Sequence, residues 1–161
     1  SERRDDIVSR VAREVIANRL TDVIREELGD SYSPFTTIDL GGGATPAVET
    51  YISVTTAPEL VDDVAIEVLD QLAALRADGP TEREFENAST TVGEQLNFIN
   101  NAQINDEVLN VLVDRDGNPS FDDFVNQGRL ISGISAEDVQ AALLAWIAVA
   151  ERIEVRVLPA S

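Results

Sequence analysis

The sequence contains no histidine, no cysteine, no methionine and no lysine, and all 12 of its basic residues are arginine. These absences exclude Ser-His-Asp and Cys-His nucleophiles, Ser-Lys dyads, Schiff-base lysines and the lysine of a P-loop. They also exclude a zinc ion held by histidine or cysteine. Because there is no cysteine there is no disulfide, which is compatible with a reducing or an oxidising compartment.

Acidic residues outnumber basic ones, so that the chain has a net charge of -18. Nucleic acids are bound through clustered basic side chains, and anionic membrane surfaces also attract such clusters. We therefore expect neither nucleic acid nor a membrane as a partner. No run of about 18 consecutive apolar residues occurs. A chain of 161 residues with 43% hydrophobic residues suits a single domain, which we assign to residues 1–161.

Apolar residues recur every three or four positions in several stretches, as they do on the core-facing side of a helix. The longest stretches run from residue 7 to 28, from 60 to 75 and from 85 to 99, with a kink or break expected near residue 100. Glycines after the first two stretches, Gly29 and Gly79, indicate helix ends. Capping boxes indicate the start of the third stretch at Thr81 and of two further helices at Ser120 and Ser135. The sequence therefore predicts five or six helices.

Three segments have the composition or alternation of strands. Residues 35–40 and 48–56 are rich in Thr, Ile, Val and aromatic residues and flank a glycine-rich turn, which predicts a β-hairpin. Apolar and charged residues alternate over 153–157, which predicts a closing strand. The fold class is therefore α+β, with helices packed on one face of an antiparallel sheet. Since three strands are few for so many helices, we expect that the first strands lie upstream of Ser1 and are truncated.

Two segments have some of the features of ligand sites. Alternating carboxylates in residues 114–120 suggest calcium, but Pro119 and Val125 stand where an EF-hand loop needs Gly and Glu. An ordinary turn that caps the next helix is the better interpretation. The three glycines at 41–43 could hold a phosphate, but no Gly-Lys-Ser/Thr follows them and the next element is a predicted strand. We interpret them as a hairpin connection.

The end of the first helix combines two side chains suited to binding a peptide. Arg25 lies in the last helical turn, and Tyr32 lies at the start of the following strand. Because Gly29 between them permits a sharp reversal, both could face one side. The Arg25 guanidinium can donate to a carboxylate or a peptide carbonyl, and the Tyr32 hydroxyl to a developing oxyanion. The structural alternatives are that Arg25 complements the helix dipole and that Tyr32 packs at the sheet edge.

Several segments together resemble the second-half domain of the pitrilysin/insulinase-type zinc peptidases, which have mitochondrial processing peptidase-like folds. The spacing of Arg25 and Tyr32 is the most specific feature of the resemblance. Two other motifs lie near the end of the first helix: Asn-Arg-Leu at 18–20 and Ile-Arg-Glu-Glu-Leu-Gly at 24–29. Two more are Gly-Pro-Thr-Glu-Arg-Glu-Phe at 79–85, before the long helix, and Ile-Ser-Ala-Glu-Asp-Val at 134–139. The resemblance covers nearly the whole chain.

The resemblance implies a role in a two-part peptidase whose halves enclose a chamber for unfolded peptides. Arg25 and Tyr32 would hold the substrate backbone and assist the tetrahedral intermediate. The chain has no histidine and hence no His-x-x-Glu-His motif. It would therefore be the non-metal half, with no catalytic residue and no metal of its own, and inactive in isolation. Zinc is expected in an N-terminal partner half, on the same or a sister polypeptide. The alternative is a peptidase-derived scaffold for protein assembly.

Overall fold

One long helix carries most of the core. The computed structural model describes residues 2–28, 34–40, 48–97, 127–147 and 152–157, and α1 (Glu2–Leu28) is the longest of its elements. The predicted apolar stripe of α1 is buried, with Ile7, Ile16, Leu20 and Ile24 each at 0% exposure. A stripe of this period places every apolar side chain on one side of the helix, which is why α1 can contact several other elements at once.

In the described part of the chain, four further α-helices pack around α1. They are α2 (Val61–Asp78), α3 (Glu82–Asn97), α4 (Gln127–Ile131) and α5 (Ala136–Trp146), and a 3-10 turn (Pro58–Leu60) precedes α2. The core combines the apolar face of α1 with Leu75 from α2, Val92 from α3 and Leu143 from α5. None of the described helices is long and apolar enough to cross a membrane.

The predicted hairpin is confirmed. Its strands, β1 (Phe35–Asp39) and β2 (Glu49–Ser53), pair antiparallel in a register that places Phe35 opposite Ser53 and Asp39 opposite Glu49. Because side chains alternate along a strand, one face of the hairpin carries Ile38 and Ile52, which pack against the core. The opposite face turns away from the helices. The fold is thus α+β, dominated by helices, with a two-stranded antiparallel sheet in the described part of the chain.

Local signals account for the helix boundaries. α2 ends at Gly79, whose φ is 76° and whose N-H donates to the Leu75 carbonyl at 3.0 Å. At the start of α5, the Ser135 hydroxyl accepts from the Asp138 N-H, and the Ser135 N-H donates to the Asp138 carboxylate. These hydrogen bonds satisfy N-H groups that the first turn of a helix leaves without partners. The predicted capping box at Ser135 is therefore confirmed.

The prediction of a closing strand over 153–157 is wrong for the structure described. These residues form no regular element, and Ile153, Val155 and Val157 are 93%, 79% and 89% exposed. Alternation makes a segment suitable for a sheet, but a strand also needs a neighbour that supplies hydrogen bonds. Neither β1 nor β2 pairs with this segment. Arg156 instead bonds to Glu154 and to Asp62 near the start of α2.

Several other predictions lie outside the described residues. These are the helix end at Gly29, the turn at 41–46, the break near residue 100, the acidic turn at 114–120 and the helix start at Ser120. The expectation of truncated strands upstream of Ser1 stays a prediction.

Candidate functional site

The last turn of α1 exposes the Arg25 side chain next to a residue of the core. Ile24 is fully buried, and Arg25, one position on, is exposed. Adjacent helical residues point about 100° apart, so the burial of Ile24 directs Arg25 toward solvent. The Arg25 guanidinium makes no hydrogen bond or ion pair with any residue that the structure describes. None of the described residues therefore occupies the hydrogen-bond donors of this guanidinium.

The preceding arginine of the same stretch, Arg19, is engaged within the fold. Its guanidinium donates to both carboxylate oxygens of Glu84 on α3, with Nε to Oε1 at 2.6 Å and Nη2 to Oε2 at 2.5 Å. The two side chains are only 14% and 23% exposed. A bidentate pair of this kind fixes the orientation of both partners. Arg19 thus joins α1 to α3 and is not free to contact a peptide.

Glu84 has a second role at the start of α3. The Thr81 N-H and hydroxyl both donate to Glu84 Oε2 at 2.8 Å, and the Glu84 N-H donates to the Thr81 hydroxyl. The predicted capping box at Thr81 is therefore confirmed. Burial raises the pKa of Glu84, but the hydrogen bonds from Arg19 and Thr81 outweigh burial and lower it from 4.5 to about 2. The carboxylate consequently stays ionised and acts as a structural anchor.

A second ion pair holds the other end of α1. Arg4 Nη2 donates to Asp138 Oδ2 on α5 at 2.7 Å. This hydrogen bond from Arg4, followed by one from Ser135, lowers the pKa of Asp138. Two ionic contacts therefore hold α1 against α3 and α5, and Arg25 at its carboxyl end is left outside both. Sequence inspection did not reveal these contacts, because their partners are 65 and 134 residues apart.

The second predicted site residue, Tyr32, lies outside the described residues. The chain between α1 and β1 is short, and buried Pro34 immediately precedes β1. That Tyr32 and Arg25 face one side stays a prediction.

The chain lacks the usual zinc ligands. It contains neither histidine nor cysteine, and zinc in proteins is usually held by three or four ligands, most often of these two types. Among the described residues, no three acidic side chains come together as metal ligands.

Comparison with known proteins agrees with this arrangement. Residues 3–92 match the family model described as the peptidase M16 inactive domain. The match spans α1, the hairpin, α2 and most of α3, and so includes Arg25 and Tyr32. No curated protein sequence matches the chain.

Two solved structures share the fold. A peptidase M16 inactive domain from Pseudomonas fluorescens superimposes with a TM-score of 0.68 at 22% identity, over 90% of this chain and 35% of that one. The periplasmic protease PqqL from Escherichia coli gives a TM-score of 0.65 at 18% identity, over 90% of this chain and 16% of that one. The chain thus spans only a minor part of the length of either. Since the family model covers more than half of the sequence, the chain belongs to the peptidase M16 inactive-domain family.

Proposed function

We propose that this domain is the substrate-holding, non-metal half of a zinc-dependent endopeptidase that acts on peptides or unfolded polypeptides. Arg25 binds the substrate backbone, and Tyr32 donates a hydrogen bond to the carbonyl oxygen that becomes negatively charged during hydrolysis. A partner half, N-terminal to this domain on the same or a sister polypeptide, supplies the zinc. The domain contributes one wall of the chamber in which the two halves enclose the peptide.

The observation that carries this proposal is the different environment of two arginines on one helix. Arg19 is partly buried in a bidentate pair with Glu84, whereas Arg25 is exposed and has no described partner. An arginine with a structural role usually pairs with a carboxylate, as Arg19 does. The exposed guanidinium of Arg25 can instead form charge-assisted hydrogen bonds with peptide carbonyls. Its position in the last turn of α1 keeps it close in sequence to Tyr32.

The proposal is tested by kinetics of the intact protein together with its zinc-bearing half. Arg25→Gln should lower kcat/KM by about 10- to 100-fold, the usual effect of losing a hydrogen bond from a charged group. Tyr32→Phe should lower kcat by about 100-fold with little change in KM, because the hydroxyl acts on the transition state. Arg83→Gln is the matched control, since Arg83 is also exposed and has no described partner.

Equal kinetics for Arg25→Gln, Tyr32→Phe and the control would contradict the proposal. Lower kcat for all three variants would point to a general effect of charge or stability, which thermal unfolding of each variant would detect. A further requirement is that the partner half contains His-x-x-Glu-His. Its coding sequence can be read directly, and a partner without the motif would remove the enzymatic role.

A scaffold in a larger protein assembly is the second candidate. The feature that favours it is the segment 152–157, whose apolar side chains Ile153, Val155 and Val157 are almost fully exposed. Contiguous exposed apolar side chains are typical of surfaces that bind other proteins. In that case Arg25→Gln would leave all activity of the assembly unchanged, whereas replacing Val155 by a charged residue would prevent assembly.

A further inference from the structure

The hairpin has an exposed side that no described element covers. This outer face of the hairpin consists of every second residue of each strand, namely Phe35, Thr37, Asp39, Glu49, Tyr51 and Ser53. The inner face, by contrast, packs Ile38 and Ile52 against the core. The hairpin is therefore fixed on one side by the helices and presents a rigid surface on the other.

Two aromatic rings dominate the outer face. Phe35 and Tyr51 are 60% and 58% exposed, although large aromatic side chains are usually half-buried or more. Their ring centroids are 6.5 Å apart and their planes are inclined by 65°, an edge-to-face arrangement. The rings thus support each other and present a preformed aromatic surface to solvent.

The neighbouring charge on this face is negative. Glu49 is exposed and lies two residues before Tyr51 on the same face of β2, about 7 Å along the strand. Asp39, which lies opposite Glu49 across the strands, has an interaction of its own, whereas Glu49 has no partner among the described residues. Glu49 is therefore the carboxylate of this face that a bound cation would contact.

We infer that the outer face of the hairpin binds a cationic side chain of an extended peptide against the Phe35 and Tyr51 rings and the Glu49 carboxylate. Aromatic faces attract guanidinium and ammonium groups, and a carboxylate within reach adds a direct ionic contact. The net charge of -18 draws cationic peptides toward the domain as a whole. This inference rests on the proposed function, because it takes the bound peptide to be a substrate, and it assigns that substrate to the basic class.

The test is direct binding to the 161-residue chain. The probe is a fluorescein-labelled peptide of alternating arginine and threonine, and its comparison is the same peptide with each arginine replaced by citrulline, which has a similar shape but no charge. Fluorescence anisotropy gives the affinity of each. We expect the arginine peptide to bind and the citrulline peptide to bind at least tenfold more weakly, since several charge contacts are lost.

Single substitutions test which residues of the chain contact the peptide. Tyr51→Thr, which keeps a residue suited to a strand, should weaken binding by about two- to fivefold, the effect of an exposed cation-aromatic contact. Glu49→Gln should weaken it by a similar factor of about two to five. The matched controls are Ile66→Ala on α2, where Ile66 is 58% exposed like Tyr51, and Glu59→Gln, which removes an exposed carboxylate elsewhere. Both controls should bind as the parent chain does.

Three results would overturn the inference. The first is that the arginine peptide does not bind even at a millimolar concentration of the chain, and the second is that both peptides bind equally. The third is that Glu49→Gln and Glu59→Gln weaken peptide binding equally while Tyr51→Thr has no effect. The last result would mean that the overall charge alone attracts the peptide. Kinetics in the assembled peptidase separate this inference from the proposed function. Tyr51→Thr should raise KM for basic peptides and leave kcat unchanged, whereas the Arg25→Gln defect applies to basic and neutral peptides alike.

Discussion

At the scale of single residues, Gly79 and Gly93 differ in whether the fold can accept a side chain at their position. Gly79 ends α2 with a φ of 76° and a ψ of -177°, a backbone conformation that is essentially confined to glycine. A Cβ built on Gly79 would lie 3.1 Å from Cδ of Gln140, whose side chain donates to the Ala77 carbonyl. Gly93 lies inside α3, where a Cβ would be 3.8 Å from Ile131 Cδ1, an ordinary van der Waals distance and the one contact with the described residues.

Alanine should therefore have opposite effects at these two positions. We expect Gly79→Ala to lower the free energy of unfolding by about 1 to 3 kcal/mol, because of backbone strain and crowding against Gln140. Gly93→Ala should raise it by about 1 kcal/mol, since alanine is the better helix former. Urea unfolding followed by circular dichroism measures both. If Gly79→Ala were as stable as the parent chain, α2 would have to end in some other way.

At the scale of elements, α1 is held in place by ionic contacts as well as by its apolar face. The contact of Arg4 with Asp138 lies near the amino end of the helix, and the contact of Arg19 with Glu84 lies in its carboxyl half. Each joins α1 to the capping residue of another helix. Packing of the apolar stripe supplies most of the stability, and the ion pairs fix how α3 and α5 are oriented against it.

The Glu84 contact should make stability depend on pH in acid. Because the pKa of Glu84 is lowered from 4.5 to about 2 in the folded chain, its contribution is complete above pH 4.5 and is lost as the pH falls toward 2. We expect Glu84→Gln to cost about 1 to 2 kcal/mol at neutral pH, a value reduced for partial exposure. It should also flatten the stability profile between pH 4.5 and 2.

Chemical unfolding at a series of pH values checks this expectation. In the Glu84→Gln variant the free energy of unfolding should still fall somewhat as the pH is lowered, because the pKa of Asp138 is also lowered in the folded chain. Glu86→Gln, at an exposed position two residues on, serves as the control. If the free energy of unfolding depended on pH in the same way in the parent chain and in Glu84→Gln, the folded state would not favour the ionised Glu84 carboxylate.

These elements also show which features can be predicted from the sequence. Helix boundaries and the hairpin depend on residues within a few positions of one another, and the patterns at Thr81, Ser135 and Gly79 are sufficient to place three of the helix boundaries. The pairing of Arg19 with Glu84 depends on how α1 and α3 meet, so no local pattern indicates it. The segment 153–157 has the pattern of a strand but no neighbouring strand among the described residues, and alternation cannot supply one. The role of Arg25 was inferred from spacing and resemblance, while its exposure emerged only from the fold.

At the scale of the whole molecule, a high negative charge coexists with an exposed apolar segment. Ile153, Val155 and Val157 lie in 152–157, which is the type of sequence that pairs edge to edge with other chains. Mutual repulsion between chains with a net charge of -18 opposes such pairing near neutral pH. The same repulsion vanishes near the isoelectric point of about 4.1.

Solubility should therefore fall steeply as the pH approaches 4.1, and the segment should be responsible. We expect Val155→Asn to reduce light scattering at that pH, because a polar side chain interrupts the apolar alternation without changing the charge. Leu144→Asn is the comparison, since Leu144 is an exposed apolar residue of α5 at 50% exposure. Equal scattering by both variants and the parent would assign aggregation to another part of the surface.

The contact between Arg4 and Asp138 also has a consequence for the order in which the chain is made. Its partners are separated by 134 residues, so α1 leaves the ribosome long before α5 exists. At about 5 to 20 residues per second, synthesis of the intervening chain takes on the order of ten seconds. During that interval the apolar stripe of α1 has no complete core to enter, so its burial is completed only after α5 has been made.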